Sequence, residues 1–129
     1  MKIAVLISRI LLGLVFVAAG VMKIFPLVPM KLPPGDAGAM MQLMMTHKWL
    51  LFYGLVETAG GLMLLIGRFV PLGLTLIAAV GVNITLFNLT LQPSALPIAL
   101  LLAALELFLV YAYRASFAGI FSARSQPAR

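Results

Sequence analysis

The sequence has no cysteine and very little charge, and both shortages restrict what the chain can do. Without a thiol, the chain itself cannot carry out thiol–disulfide chemistry, form a disulfide bond or hold zinc or an iron–sulfur cluster through thiolates. Charged residues make up 9% of the 129 positions, whereas a water-soluble domain carries roughly a quarter. Hydrophobic residues make up 64%, which indicates an integral membrane protein.

The apolar residues fall into four stretches, each long enough to cross a hydrocarbon core that requires about 20 residues. They lie at about 3–25, 48–67, 71–91 and 95–115, and a polar tail over 116–129 follows them. The connections after the second and third spans are short, so consecutive spans must be antiparallel neighbours. The sequence therefore predicts a single all-α domain over 1–129, an antiparallel four-transmembrane-helix bundle.

A longer connection follows the first span. Pro26 and Pro29 are expected to end the first helix, because proline has no N–H to donate and cannot continue a helix. The segment AGAMMQLMMTHKW then predicts a short interfacial helix, with Asp36 as its N-cap. Its methionines and His47 would also suit Cu(I), but a flexible apolar surface is the simpler interpretation, and we predict no metal site.

Basic residues outnumber acidic ones by nine to three, and their positions predict the orientation of the chain. They flank the spans instead of forming a patch on a soluble fold, so we expect no nucleic-acid partner. With the N-terminus in the cytoplasm, that side holds six of the nine: Lys2, Arg9, Arg68, Arg114, Arg124 and Arg129. The positive-inside rule therefore favours both termini in the cytoplasm.

Three ionisable residues lie well inside the predicted spans: Arg9, Glu57 and Glu106. Such residues are costly in lipid and usually face the interior of the bundle. At about 1.5 Å per residue, they lie about 9, 15 and 13 Å from the cytoplasmic side, within reach of the long arginine side chain. We expect Arg9 to pair with Glu57 or with Glu106, and the sequence does not decide between them.

The first span carries a face of small and charged residues. In RILLGLVFVAAGVMK, helical spacing places Arg9, Gly13, Phe16, Gly20 and Lys23 on one side of the helix. The two glycines allow another helix to approach closely. Lys23, at the far end of this face, is expected to extend to the outer headgroups or to line an outer cavity.

Further polar side chains accompany these charges. Glu57 shares a helix face with Gly54 and Gly61, which again favours close packing. Three interpretations of the polar set remain open: an ion pair that fixes helix register, a ligand or quinone pocket, and a proton or ion pathway. The candidate residues are Arg9, Glu57, Glu106, Asn83 and Tyr113. The sequence identifies no catalytic residue.

Two segments resemble the DoxX family of small four-span bacterial membrane proteins. They are RILLGLVFVAAGVMK and GLVETAGGLMLLIGRFVP, and PSALPIALLLAALELFLVYAYR is a third similar stretch. The resemblance implies a multi-pass protein of the bacterial inner membrane, in which Arg9, Lys23 and Glu57 match the polar positions of the family. The family takes its name from a small membrane subunit of a thiosulfate:quinone oxidoreductase.

The resemblance implies a subunit more than an independent enzyme. The expected role is a non-catalytic or quinone- or lipid-binding subunit of a membrane-associated oxidoreductase complex. A bound quinone is the candidate cofactor, because the chain has no cofactor motif of its own. The expected partners are the lipid bilayer and either a redox enzyme or further copies of the chain. The alternative is a small oligomeric transporter or channel, in which Glu57 or Glu106 carries protons or binds a cation.

Overall fold

The fold is a bundle of long helices, seen in a computed structural model that describes residues 2–25, 31–120, 122–124 and 126–128. Within these residues the α-helices are α1 (Lys2–Ile24), α2 (Gly35–Thr46), α3 (Trp49–Ile66), α4 (Val70–Thr90) and α5 (Leu96–Ala112). Short 3₁₀ turns, Pro93–Ala95 and Arg114–Phe117, flank α5. Four of the helical segments are long and apolar enough to cross a membrane, which confirms the predicted fold class.

Two connections between helices are made by residues in the left-handed conformation. Gly67, with φ 79°, ends α3, and Pro71 lies in the first turn of α4, as their residue types predict. Lys48, with φ 62°, separates α2 from α3, so the helix of the second span begins at Trp49. Between α3 and α4 the chain therefore reverses direction within a few residues.

The start of α2 differs from the prediction. The N-cap position is occupied by Pro34, and Asp36 lies inside the first helical turn. A carboxylate there still faces the positive end of the helix dipole, which stabilises the helix without a capping hydrogen bond. Pro26 and Pro29, predicted to end the first helix, lie outside the described residues.

The most extensive helix contact lies between α1 and α3. A side-chain carbon added to Gly13 would lie 2.9 Å from the carbonyl oxygen of Gly61, and one added to Gly20 would lie 2.7 Å from that of Gly54. Because these distances are too short for a real carbon atom, the helices can approach this closely only where both carry glycine. The predicted glycine faces of the first two spans thus pack against each other, with the helices antiparallel.

The apolar core lies where the four long helices meet. Its buried members are Leu12, Phe16, Leu64, Val70, Leu74, Ile77, Leu109 and Phe117. Phe117 belongs to the 3₁₀ turn after α5 and is only 5% exposed, although the sequence places it in a polar tail. The beginning of that tail is therefore part of the folded bundle.

The two ends of the bundle are formed by different segments of the chain. We call the end with the start of α1, the α3–α4 connection and the end of α5 the terminal end. The opposite end, where α2 packs against α3, is called the α2 end. Large apolar side chains are exposed along the outward faces of the long helices, as expected for surfaces in contact with lipid.

Replacing Gly20 by alanine should destabilise the bundle. The added methyl group would lie 2.7 Å from the Gly54 carbonyl oxygen and 2.8 Å from the backbone nitrogen of Thr58, so α1 and α3 would have to separate. We expect the free energy of unfolding in detergent to fall by about 1–3 kcal/mol, as in other overpacked sites.

Gly81→Ala is the matched control, because a side-chain carbon at Gly81 meets nothing within 4 Å. Alanine also has the higher helix propensity, so the stability of this variant should be unchanged or slightly raised. Equal losses in both variants would contradict the close contact between α1 and α3.

Candidate functional site

Lys23, in the last turn of α1, and Glu57, in the middle of α3, form an ion pair inside the bundle. The Lys23 ammonium donates a hydrogen bond to Oε1 of Glu57. Glu57 is completely buried, and the lysine side chain is 21% exposed. Among the described residues this is the one ion pair. A buried carboxylate is tolerated because a cation and a hydrogen bond accompany it.

The pair corrects two expectations, that Arg9 neutralises Glu57 and that Lys23 extends to the headgroups. Side chains on a helix lean toward its N-terminus. In the antiparallel α1 and α3, Lys23 and Glu57 therefore lean toward each other, whereas Arg9 leans toward the terminal end. Lys23 lies instead in the lining of a cavity inside the bundle.

Arg9 lies at the terminal end, against the C-terminus of α3. A side-chain carbon added to Gly67 would lie 2.7 Å from Nη1 and 3.2 Å from Nη2 of Arg9, so the guanidinium packs directly on this glycine. The last carbonyl groups of a helix carry partial negative charge, which a nearby cation stabilises. Arg9 Nε is buried and has no hydrogen-bond partner among the described residues.

A cavity of about 350 Å³ lies beside the ion pair at the α2 end. We call it the α2-end cavity. Its apolar walls include three methionines of α2 together with side chains of α3 and α4: Met40, Met41, Met44, Leu50, Val80, Ile84, Leu86, Phe87 and Leu91. Its polar lining consists of Lys23, Tyr53, Glu57, Asn83, Thr90 and Gln92. The cavity is therefore mostly apolar, with a few hydrogen-bonding groups.

The polar groups of the α2-end cavity have unused hydrogen-bonding capacity. An ammonium group has three donors, and Lys23 uses one of them on Glu57. The second carboxylate oxygen of Glu57, Oε2, is buried without a hydrogen-bond partner among the described residues. Asn83 donates from Nδ2 to the carbonyl oxygen of Ala79 at 2.9 Å, which orients its amide. The residue types of the lining thus include both hydrogen-bond donors and hydrogen-bond acceptors.

The five candidate residues predicted from the sequence do not form one cluster. Glu57 and Asn83 line the α2-end cavity. Arg9 and Tyr113 line a separate groove at the terminal end. Glu106 lines neither, and both its carboxyl oxygens are buried without a hydrogen-bond partner among the described residues. The expected pairing of Arg9 with Glu106 is also absent from the described part of the chain.

Tyr53 was not among the site residues predicted from the sequence, although it lines the α2-end cavity. The methionines of α2 were predicted only to form the apolar side of an interfacial helix. Tyr53 lies one helical turn before Glu57, and this spacing places both side chains on the same face of α3. That signal was available in the sequence. The position of the methionines depends on how α2 packs against α3, which no local pattern specifies.

Together, these features define a small multi-pass membrane protein, a glycine-packed bundle with a buried ion pair beside a cavity. The family model described as DoxX matches residues 4–92, more than half of the chain, and the chain therefore belongs to the DoxX family. The match includes both residues of the ion pair and ends before α5, which carries Glu106. No curated protein and no solved structure matches the chain.

Removing one member of the ion pair should cost more than removing both. Lys23→Met leaves the Glu57 carboxylate buried without its cation, and we expect the free energy of unfolding to fall by about 3–5 kcal/mol. The double variant Lys23→Met/Glu57→Gln should recover part of that loss, because no buried charge is left unpaired. Unfolding of the wild type, both single variants and the double variant in detergent completes the double-mutant cycle.

Arg9→Met is the control for this cycle. Combined with Glu57→Gln, its effect should be additive within about 0.5 kcal/mol, because the two residues do not interact. A coupling between Arg9 and Glu57 as large as that between Lys23 and Glu57 would contradict the pairing in the structure.

Proposed function

We propose that this DoxX-family protein binds the head of a quinone in the α2-end cavity and acts as a non-catalytic subunit of a membrane-associated oxidoreductase complex. The observation that carries the proposal is the cavity of about 350 Å³, whose apolar walls lead to the Lys23–Glu57 ion pair. Binding sites for small molecules are commonly apolar, with a few convergent polar groups. The namesake of the family, a subunit of a thiosulfate:quinone oxidoreductase, supports the same class of ligand.

The polar groups of the cavity suit a quinone head in both of its redox forms. Lys23 has two N–H donors left for a carbonyl oxygen. The hydroxyl of Tyr53, another residue of the cavity lining, can accept a hydrogen bond from a hydroxyl of the reduced form. A bound quinone supplies electron and proton transfer, and the residues of this chain hold and orient its head.

The apolar walls suit the ring and the beginning of an isoprenoid tail. Met40, Met41 and Met44 have flexible side chains that adapt to an irregular apolar surface. The volume of about 350 Å³ lies near the lower end of the range for ligand sites, roughly 300–1,000 Å³. The cavity therefore has room for the head, and the remainder of a long tail would extend into the lipid.

The proposed orientation places the α2-end cavity toward the outer face of a bacterial inner membrane. Six of the nine Lys and Arg residues belong to the terminal end or the tail that follows it, and the positive-inside rule puts that end in the cytoplasm. A redox-enzyme partner would then exchange electrons with the quinone at the outer face.

Filling the α2-end cavity should weaken quinone binding. Val80 lines the cavity and is 3% exposed, whereas Val82, on the same helix, is 69% exposed. We expect Val80→Phe to bind quinone at least about tenfold more weakly, a loss of about 1.4 kcal/mol in binding free energy, because its ring occupies the site. Val82→Phe should retain wild-type affinity. The measurement is native mass spectrometry of the full chain in mild detergent with an added short-chain quinone.

Thermal unfolding of both variants checks that each is folded. Equal binding of quinone by Val80→Phe and Val82→Phe would contradict the proposed site. A wild-type homo-oligomer that retains no quinone would contradict the proposed ligand. A redox enzyme that copurifies with the wild type at fixed stoichiometry would support the role as a subunit.

A second candidate function is proton or cation transport by a small oligomer, and Glu106 favours it. Both carboxyl oxygens of this residue are buried in the bundle without a partner among the described residues. Ionisable residues inside membrane spans often belong to proton relays or ion pathways. In such a transporter, Glu106 is the residue that would bind and release the proton or cation.

Glu106→Gln tests this second candidate. The amide keeps the size of the side chain but, unlike a carboxyl group, cannot take up and release a proton. Proton flux into liposomes should therefore fall to the level of protein-free liposomes. Gly81→Ala provides a folded control, since its substitution site has open space around it. Wild-type flux no greater than that of protein-free liposomes would contradict a transport function.

A further inference from the structure

A second cavity lies at the terminal end, between the start of α1 and the end of α5. It measures about 450 Å³, and we call it the basic groove. Three of its lining residues are cations, Lys2, Arg9 and Arg114, and its apolar wall consists of Val5, Leu6 and Ala112. The groove therefore combines a concentration of positive charge with an apolar surface.

The described part of the chain supplies no side-chain carboxylate to neutralise the basic groove. The whole sequence has only three acidic residues. Glu57 forms an ion pair with Lys23 in the interior, and Asp36 lies in the first turn of α2, at the α2 end. Glu106 takes part in no ion pair among the described residues. Because its positive charge is uncompensated, the groove attracts an anion.

Two guanidinium groups are held in place at this groove. Arg9 packs on Gly67, and its buried Nε has no partner among the described residues. Arg114 Nη1 donates to the carbonyl oxygen of Tyr111 at 3.0 Å, and its Cζ lies 4.4 Å from the centre of the Tyr111 ring. A guanidinium has five donors, so both groups keep N–H bonds available for a ligand. Paired N–H donors of arginine match the oxygens of a phosphate group.

We propose that the basic groove binds the phosphate of an anionic phospholipid. The groove lies at the ends of two membrane-spanning helices, where headgroups are located. Leu6 in its apolar wall is 45% exposed and can contact an acyl chain. Basic pockets between membrane helices bind anionic headgroups in this manner. A free phosphate ion shares the headgroup chemistry but would leave the apolar wall unused. The site is separate from the α2-end cavity and does not depend on quinone binding.

Three probes test this proposal on the full chain in detergent: phosphatidylglycerol, phosphatidylcholine and inorganic phosphate. Native mass spectrometry reports the bound lipid, and thermal unfolding reports stabilisation. We expect phosphatidylglycerol to remain bound and to raise the melting temperature. Phosphatidylcholine and inorganic phosphate at the same concentration should do neither, because the first has no net charge and the second has no acyl chain.

Substitution of the two arginines locates the site. Arg9→Gln/Arg114→Gln should bind phosphatidylglycerol at least about tenfold more weakly, because charge-assisted hydrogen bonds are lost. Arg68→Gln is the matched control, since it removes an exposed cation at the terminal end that does not line the groove. Its affinity should stay within about twofold of the wild type.

Arg114→Gln alone keeps the test decisive if the double variant fails to fold, because Arg114 is exposed and its replacement leaves the core intact. This single variant should also bind phosphatidylglycerol more weakly than Arg68→Gln does. Wild-type affinity in the folded arginine variants would overturn the site. Equal binding of phosphatidylcholine would overturn the preference for an anionic lipid, and equal stabilisation by inorganic phosphate would overturn the assignment to a lipid.

Discussion

The close backbone contact between α1 and α3 is the feature on which the rest of the protein depends. Gly13 against Gly61 and Gly20 against Gly54 bring the helices near enough for a lysine at the end of one helix to reach an acid in the middle of the other. Lipid tails are as apolar as leucine, so hydrophobic burial alone does not hold membrane helices together. Close backbone packing and the Lys23–Glu57 ion pair therefore hold α1 and α3 together. The ion pair also favours a single register of the two helices.

The distribution of charge follows from the scarcity of acids. Glu57 is the acidic residue that the structure pairs with a cation, and this pair lies next to the α2-end cavity. The basic residues of the terminal end have no acidic side chain of their own among the described residues. One end of the bundle thus offers a neutralised charge pair in apolar surroundings, and the other offers unneutralised positive charge. Each arrangement suits a different class of amphipathic molecule.

Much of the fold could be predicted from the sequence, because its signals are local. Long apolar runs predicted the membrane spans, and the glycine spacing in the first two spans predicted the helix faces that pack together. The partner of Glu57 could not be predicted from depth along the helices, since it depends on the direction in which the side chains lean in antiparallel neighbours. The methionine wall of the α2-end cavity and the burial of Phe117 could not be predicted either, because both result from segments that fold back on distant parts of the chain.

The composition of the α2-end cavity has a consequence for how the protein can evolve. All its described lining residues lie between Lys23 and Gln92, and none belongs to α5. Helix α5 packs mainly against α4 and α1 and supplies the core with Leu109. Selection for a particular α2-end cavity would therefore act on the first three spans and on α2, and not on the last span. Two parts of one small protein can accordingly diverge at different rates.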